Sequence, residues 1–205
     1  MVFASRLLQT AALPLITTTP LRAYALALTA HLVDTARAAA KAHLAHTLAH
    51  EVCPPELEDL SVGAYHRLIA YRAKCSAALR TKCKWPEAKG APSVLGMSEL
   101  GEWTWFACRA CVKHRGSDWS CRKLYCGCAA PWFQTFWDGL LMALCMTPHQ
   151  DTLDKLESRL LYRLYEGAGG CSTCKAVVVE QIGMLMIVLK QAVDAVVSEV
   201  ILSVL

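Results

Sequence analysis

The residues with the most chemistry to offer are four cysteines in two Cys-x-x-Cys pairs, Cys108-Arg-Ala-Cys111 and Cys171-Ser-Thr-Cys174. Thiolates are the soft ligands of tetrahedral structural zinc, and a two-residue spacer lets one turn aim both sulfurs of a pair at a single ion. Cys171 follows Gly167, Gly169 and Gly170, which stop one helix just before the next begins. Backbone N–H groups at such a helix start favour anionic sulfur. Cys108 follows Trp103, Trp105 and Phe106, which read as a short extended or strand-like segment. Cys108, Cys111, Cys171 and Cys174 are therefore the candidate ligands of a structural zinc site that ties an extended aromatic segment to a helix start. The pairs lie far apart in the chain, and other donors stand between them: His114, Cys121, Cys126 and Cys128. A local site from Cys108, Cys111, His114 and a later cysteine such as Cys121 is the alternative, and a set of thiols without metal is the third reading.

Other chemistry is poorly supported. A redox dithiol normally sits in a β-α-β setting, and no such alternation surrounds either pair. His43, His46 and His50 recur at the three- and four-residue spacing of one helix face, which reads as a solvated face rather than a metal site. There is no phosphate-binding glycine loop, no G-x-S-x-G elbow and no H-E-x-x-H. The chain is accordingly read as non-enzymatic, with no catalytic residue and no cofactor beyond zinc. Its net charge of +4 is mild and does not make the basic stripe of a dedicated nucleic-acid binder. Arg109, Lys113, Arg115, Arg122 and Lys123, among aromatics near the cysteines, keep a zinc-containing nucleic-acid-binding or transcription-regulatory module as the alternative.

The elements that must position the cysteines are helical. Apolar residues make up 55% of the 205-residue chain and charged residues 19%, enough to bury a core and more than a small domain needs. Part of that apolar surface is expected to be covered by a partner protein or by a missing part of a longer protein, and a homo-oligomer is a further expectation. The eleven cysteines are an odd number, and Cys75 and Cys145 fall inside apolar helical patterns where a thiol is a small hydrophobe. This favours a reducing compartment, cytoplasm or nucleus. Residues 1–33 contain Arg6 and Arg22 but no acid, a weak transit-peptide composition that is better read as the first core helices. From Val177 to Leu205 the chain comes nearest to a membrane span, but Glu180, Lys190, Asp194 and Glu199 interrupt it, and no span is expected.

Helices are predicted over Leu21–Thr29 and Val33–Leu48, then from a Ser61 cap to about Arg80 with Val62, Tyr65, Leu68, Ile69, Cys75 and Leu79 on one face. Arg72 lands on that face, either as a stem lying over apolar neighbours or as a buried partner of an acid or a carbonyl. Pro131 opens an aromatic helix ended by Pro148, and Asp151 is read as the cap of a helix reaching Tyr165. A last helix runs from Cys171 to about Val197, with a short strand expected from Val200 to Leu205. The fold class is mainly α, an irregular helical bundle with short extended segments near a Cys-rich loop. Its organisation is residues 1–80 as an N-terminal helical region, 81–101 as a linker and 102–205 as a Cys-rich and C-terminal helical region, possible partners in one packed domain.

The ordered series Pro20-Leu-Arg-Ala-Tyr-Ala-Leu-Ala, Asp34-Thr-Ala-Arg-Ala-Ala-Ala, Ala64-Tyr-His-Arg-Leu-Ile-Ala-Tyr-Arg with Cys75, Trp105-Phe-Ala-Cys108-x-x-Cys111 and Cys171-x-x-Cys174 before a long helix resembles a fungal family. It is similar to the region that follows the BTB/POZ domain in BTB proteins of mushroom-forming fungi, over roughly residues 7–205. The resemblance implies action through protein–protein contacts, as an adaptor for a ubiquitin ligase or as a transcriptional regulator. The α/β BTB domain that would precede Leu7 in that family is not recognisable in this sequence. The functions carried by that domain itself are therefore not implied for this chain.

Overall fold

The computed structural model describes residues 13–48, 54–83, 103–108, 110–111 and 130–203. Residues 13–18 are helical. They precede α1 (Pro20–Thr29) and α2 (Val33–His43), a 3-10 turn (Pro55–Leu57), α3 (Val62–Lys82), the single turn α4 (Thr104–Ala107), α5 (Pro131–Met146), α6 (Asp151–Ala168) and α7 (Ser172–Glu199). No strand occurs among the described residues, so the chain is mainly α as its periodicity predicts.

α1 and α2 pack against each other as a hairpin. Alanines make this possible: Ala23, Ala27, Ala36, Ala39 and Ala40 are all buried, and their small side chains let the two backbones approach. The hairpin turns on His31, whose φ of 56° is left-handed. His31 N–H donates to the Leu28 carbonyl at 3.0 Å and Leu32 N–H to Ala27 at 2.8 Å, the paired bonds of a Schellman stop. The buried residues of α1 show that this part of the N-terminal region belongs to the core.

Ser61 caps α3 as its residue type predicts, its Oγ accepting from Ala64 N–H at 3.2 Å. The buried face is Ala64, Leu68, Tyr71, Arg72, Cys75 and Leu79. This corrects the predicted face at one end: Val62 is 87% exposed and Tyr65 is also exposed. At about 100° per residue, Val62 lies roughly 130° and Tyr65 roughly 70° round the helix from the middle of that buried face, so both fall outside the stripe that packs inward. Arg72 is 6% exposed. Its guanidinium donates to the carbonyls of His43, His46 and Met146, so the buried-partner reading holds and the partners are carbonyls. They belong to the chain just where α2 and α5 end, so one cation satisfies acceptors that helix termini leave open.

α5, α6 and α7 pack in succession, and α3 lies on α5 and α7. On α5 the buried residues are Phe133, Phe136, Trp137, Leu140 and Leu144. Asp151 is the first residue of α6 and not its cap; Gln150 holds the cap position without a side-chain bond. Asp151 and Asp154 instead place negative charge in the first turn, where the helix dipole favours it. The C-terminal expectation of a strand also fails over the described part, since residues 200–203 leave α7 in no regular element.

By length and composition α7 can cross a membrane, which corrects the expectation that no segment can. Its charges do not forbid it because they are spaced widely enough to leave a long apolar window. In this fold they are used locally: Lys190 pairs with Asp154 of α6, and Asp194 with Lys41 of α2 at 2.8 Å. One face of α7, with Val178, Ile182, Leu185, Leu189 and Val193, is buried in the common core.

The histidine face is corrected too. His43 is the last residue of α2 and is 1% exposed, while His46 lies beyond the helix and is half-buried. Neither the solvated face nor a shared metal face describes them; His50 lies outside the described residues. The linker predicted over 81–101 lies outside them from residue 84 onward.

Candidate metal centre

The N-terminal pair is positioned by an aromatic stack. Trp105 is fully buried, with its ring parallel to Phe133 of α5 at 4.5 Å between centroids and stacked at a 24° tilt on Trp103 at the same separation. Trp132 meets Trp105 edge-on at 6.2 Å. Such offset and edge contacts add to plain burial because the ring quadrupoles align favourably. Ala130 N–H also donates to the Trp105 carbonyl at 2.8 Å. The predicted extended segment is therefore corrected to one helical turn, α4. A strand needs a neighbour to pair with, and here Trp105 is held by α5 instead.

After α4 the chain reverses through the cysteine pair. Cys108 N–H closes the turn onto Thr104, and Cys111 N–H donates back to the Cys108 carbonyl at 3.2 Å. This tight turn brings Sγ of Cys108 and Cys111 to one side. The second pair spans the start of α7, with Cys171 at the cap position and Cys174 in the first turn. Cys171 N–H is tied to the Ala168 carbonyl at 3.0 Å, so the sulfur is fixed from the end of α6 as well.

The two pairs meet. All four Sγ atoms lie within 4.8 Å of one another. Cys108 Sγ stands 3.5 Å from Cys171 Sγ, and Cys174 Sγ 3.5 Å from Cys111 Sγ. Four thiolates about 2.3 Å from a tetrahedral zinc sit about 3.8 Å from each other, so the spread matches a four-sulfur cage. These contacts are too long for disulfides, and all four cysteines are free thiols. Cys108 and Cys174 are buried; Cys111 and Cys171 are half-exposed. The donor set is soft, converging and closed on its inner side, which is what a structural metal requires.

No protein-family model, no curated protein and no solved structure matches this chain.

The site's electrostatics follow from its placement. The Cys174 backbone N–H facing the Cys171 sulfur, helped by the Cys108 sulfur, pulls the Cys171 thiol down to about 6. Burial pushes the Cys174 thiol well above its ordinary range, and neighbouring sulfurs push it further. Burial also raises Cys111. The cluster thus favours negative charge at the helix start, on Cys171, and protons on Cys174 and Cys111, because thiolates in contact repel. A divalent cation removes that repulsion.

The four ligands named from sequence are thus the four that converge. The local alternative through His114 and Cys121, and the basic residues Arg109, Lys113, Arg115, Arg122 and Lys123, lie outside the described residues. What sequence reading missed is Gln181. Its side-chain oxygen accepts from Thr104 N–H at 3.0 Å, capping α4 from α7 two turns beyond Cys174. The signal was its place on the α7 face that carries Cys174, Val178 and Ile182. Cys75 and Cys83 play no part: burial lifts their thiols to about 11 and about 12, and they pack as small apolar groups.

Proposed function

We propose that this chain is a non-enzymatic interaction or adaptor module, of the kind found after the BTB/POZ domain in mushroom-forming fungi, whose fold is fastened by one structural zinc ion. The observation that carries the zinc is the convergence of Cys108, Cys111, Cys171 and Cys174 within 4.8 Å. Zinc bound there would offset part of the thiolate charge and cross-link α4 to α7. The partly covered sulfurs of Cys111 and Cys171 do not make an open coordination position, because all four positions of a tetrahedron are supplied by protein. The metal is therefore a fastening and not a reaction centre.

The interaction half of the proposal is supported by apolar side chains turned outward. Met142 is 72% exposed and Met146 67% on α5, Tyr162 66% on α6 and Ile187 60% on α7. Methionines adapt their shape to a partner, and aromatic side chains anchor interfaces at small entropic cost. A reducing location, cytoplasmic or nuclear, accords with the free thiols.

Metal analysis of the purified, reduced chain tests the zinc directly. About one equivalent per chain is expected, and its absence from protein prepared without chelator would remove the fastening. The interaction reading is tested by cross-linking mass spectrometry with the wild type and Met142→Lys. A partner or second copy lost from the variant, with the melting temperature unchanged, supports it; identical cross-links, or none in either, count against it.

A further inference from the structure

The arrangement of the four sulfurs has a consequence for oxidising conditions, and it rests on the zinc reading above. The contacts at 3.5 Å run across the motifs, Cys108 with Cys171 and Cys111 with Cys174. Each contact joins a buried sulfur to a half-exposed one: Cys108 and Cys174 are buried, Cys171 and Cys111 are not. The exposed member can meet an oxidant from solvent, and the buried member already stands against it.

We infer that a peroxide replaces the zinc by two bridges across the motifs, Cys108–Cys171 and Cys111–Cys174, so that the fastening of α4 to α7 outlasts the metal. In the first step the Cys171 thiolate attacks a peroxide oxygen; the S–O bond forms, the O–O bond breaks and hydroxide leaves. The Cys108 thiolate then attacks the Cys171 sulfenic sulfur, the S–S bond forms, the S–O bond breaks and a second hydroxide leaves. A second peroxide takes Cys111 and Cys174 through the same steps. Four thiolates lose four electrons, two hydrogen peroxide molecules become four hydroxides, and the zinc ion is released with no ligand left to hold it.

The direction of the bridges decides what oxidation does. Bridges within each motif would leave α4 and α7 unlinked. Bridges across the motifs close loops spanning 63 residues, and long closed loops restrict the unfolded chain most. The oxidised, zinc-free protein therefore remains folded, and reduction without zinc is what loosens it.

The experiment uses the full reduced chain carrying its zinc. Two equivalents of hydrogen peroxide are added, released zinc is followed with a metallochromic dye, and the alkylated, non-reduced protein is mapped by peptide mass spectrometry. The expected result is stoichiometric zinc release with Cys108–Cys171 and Cys111–Cys174 linkages. The oxidised form should melt at a temperature unchanged by chelator and lowered by several degrees on adding dithiothreitol with chelator. Linkages Cys108–Cys111 and Cys171–Cys174, or bridges to cysteines outside the four, would overturn it. So would zinc retained at that dose. Cys171→Ser should still form Cys111–Cys174 while Cys108 stays alkylatable; a Cys108–Cys111 bridge in that variant also overturns it. If the starting protein holds no zinc yet forms both cross-motif bridges, the zinc reading fails and the thiol pairing stands.

Discussion

Cys108 Sγ lies 3.5 Å from Cys171 Sγ although 63 residues separate them in the chain. The contact joins a turn that follows an aromatic stack to the first residue before a long helix. It exists because Trp105 is locked between Phe133 and Trp103, and because Gln181 of α7 caps the α4 turn.

Removing one ligand should therefore act on the whole fold. Cys171→Ser and Cys108→Ser are each expected to lose the bound zinc and to lower the melting temperature by more than ten degrees, since structural zinc contributes folding free energy outright. Cys145→Ser, in a half-buried position on α5 away from the cluster, should keep its zinc. Metal content and thermal unfolding of the three variants side by side check this. Equal zinc in all three would mean that these sulfurs hold no metal.

Gly167 makes a second prediction. A Cβ built there would stand 2.7 Å from the Trp132 Cβ, so α5 and α6 touch through the missing side chain. Gly167→Ala is expected to destabilise by about 2 kcal/mol, as overpacking of a close contact does. Gly183 lies within α7 with nothing within 4 Å of its added Cβ. Gly183→Ala should instead stabilise by about 0.5–1 kcal/mol, the helix advantage of alanine. Denaturant titration of both variants reads the opposite signs.

Arg72 joins the ends of two helices from a third. Replacing it by leucine leaves the buried carbonyl of His43 and the partly buried carbonyls of His46 and Met146 without this donor, and a loss of roughly 3 kcal/mol is expected. Lysine should not restore it, because a single ammonium cannot reach the carbonyls that the planar guanidinium spans. Full recovery of stability in Arg72→Lys, seen in chemical unfolding, would show that the charge alone matters.

The fourth prediction concerns pH. Burial holds the His149 imidazole below its ordinary value of 6.5, against the opposing pull of Asp151. Asp151 N–H donates to His149 Nδ1 at 3.2 Å, which only the neutral ring accepts. The unfolded chain then takes up the proton first as pH falls. This contribution to stability is complete above 6.5 and is lost as pH drops from 6.5 through the lower folded-state value. His149→Gln should flatten the stability profile between pH 7 and 5; an unaltered slope would assign the acid sensitivity elsewhere.

Much of the fold was legible because helix signals are local. Ser61, Pro20 and Pro131 mark helix starts through their own backbone chemistry, and the apolar repeat of α7 names its buried face without reference to anything else. The four converging thiols were legible for a similar reason: each Cys-x-x-Cys is a local device for aiming two thiols together. Where reading failed, a neighbour decided. Val62 is apolar but lies on the side of α3 turned away from the buried stripe. His43 is polar, yet it ends α2 at the place where Arg72 enters. Trp103 and Trp105 have strand-forming side chains, but no strand lies among the described residues, and Trp105 stacks on Phe133 of α5 from a turn of helix.

By itself, then, the sequence determined the helical class, most helix limits and the identity of the four thiols, since these rest on interactions among residues a few positions apart. Only the tertiary structure decided that the two pairs belong to one site, that Gln181 supports it and that Arg72 has carbonyl partners. Those relationships join segments distant in the chain. They arise from how the aromatic and alanine-rich faces pack, and no local pattern encodes that packing.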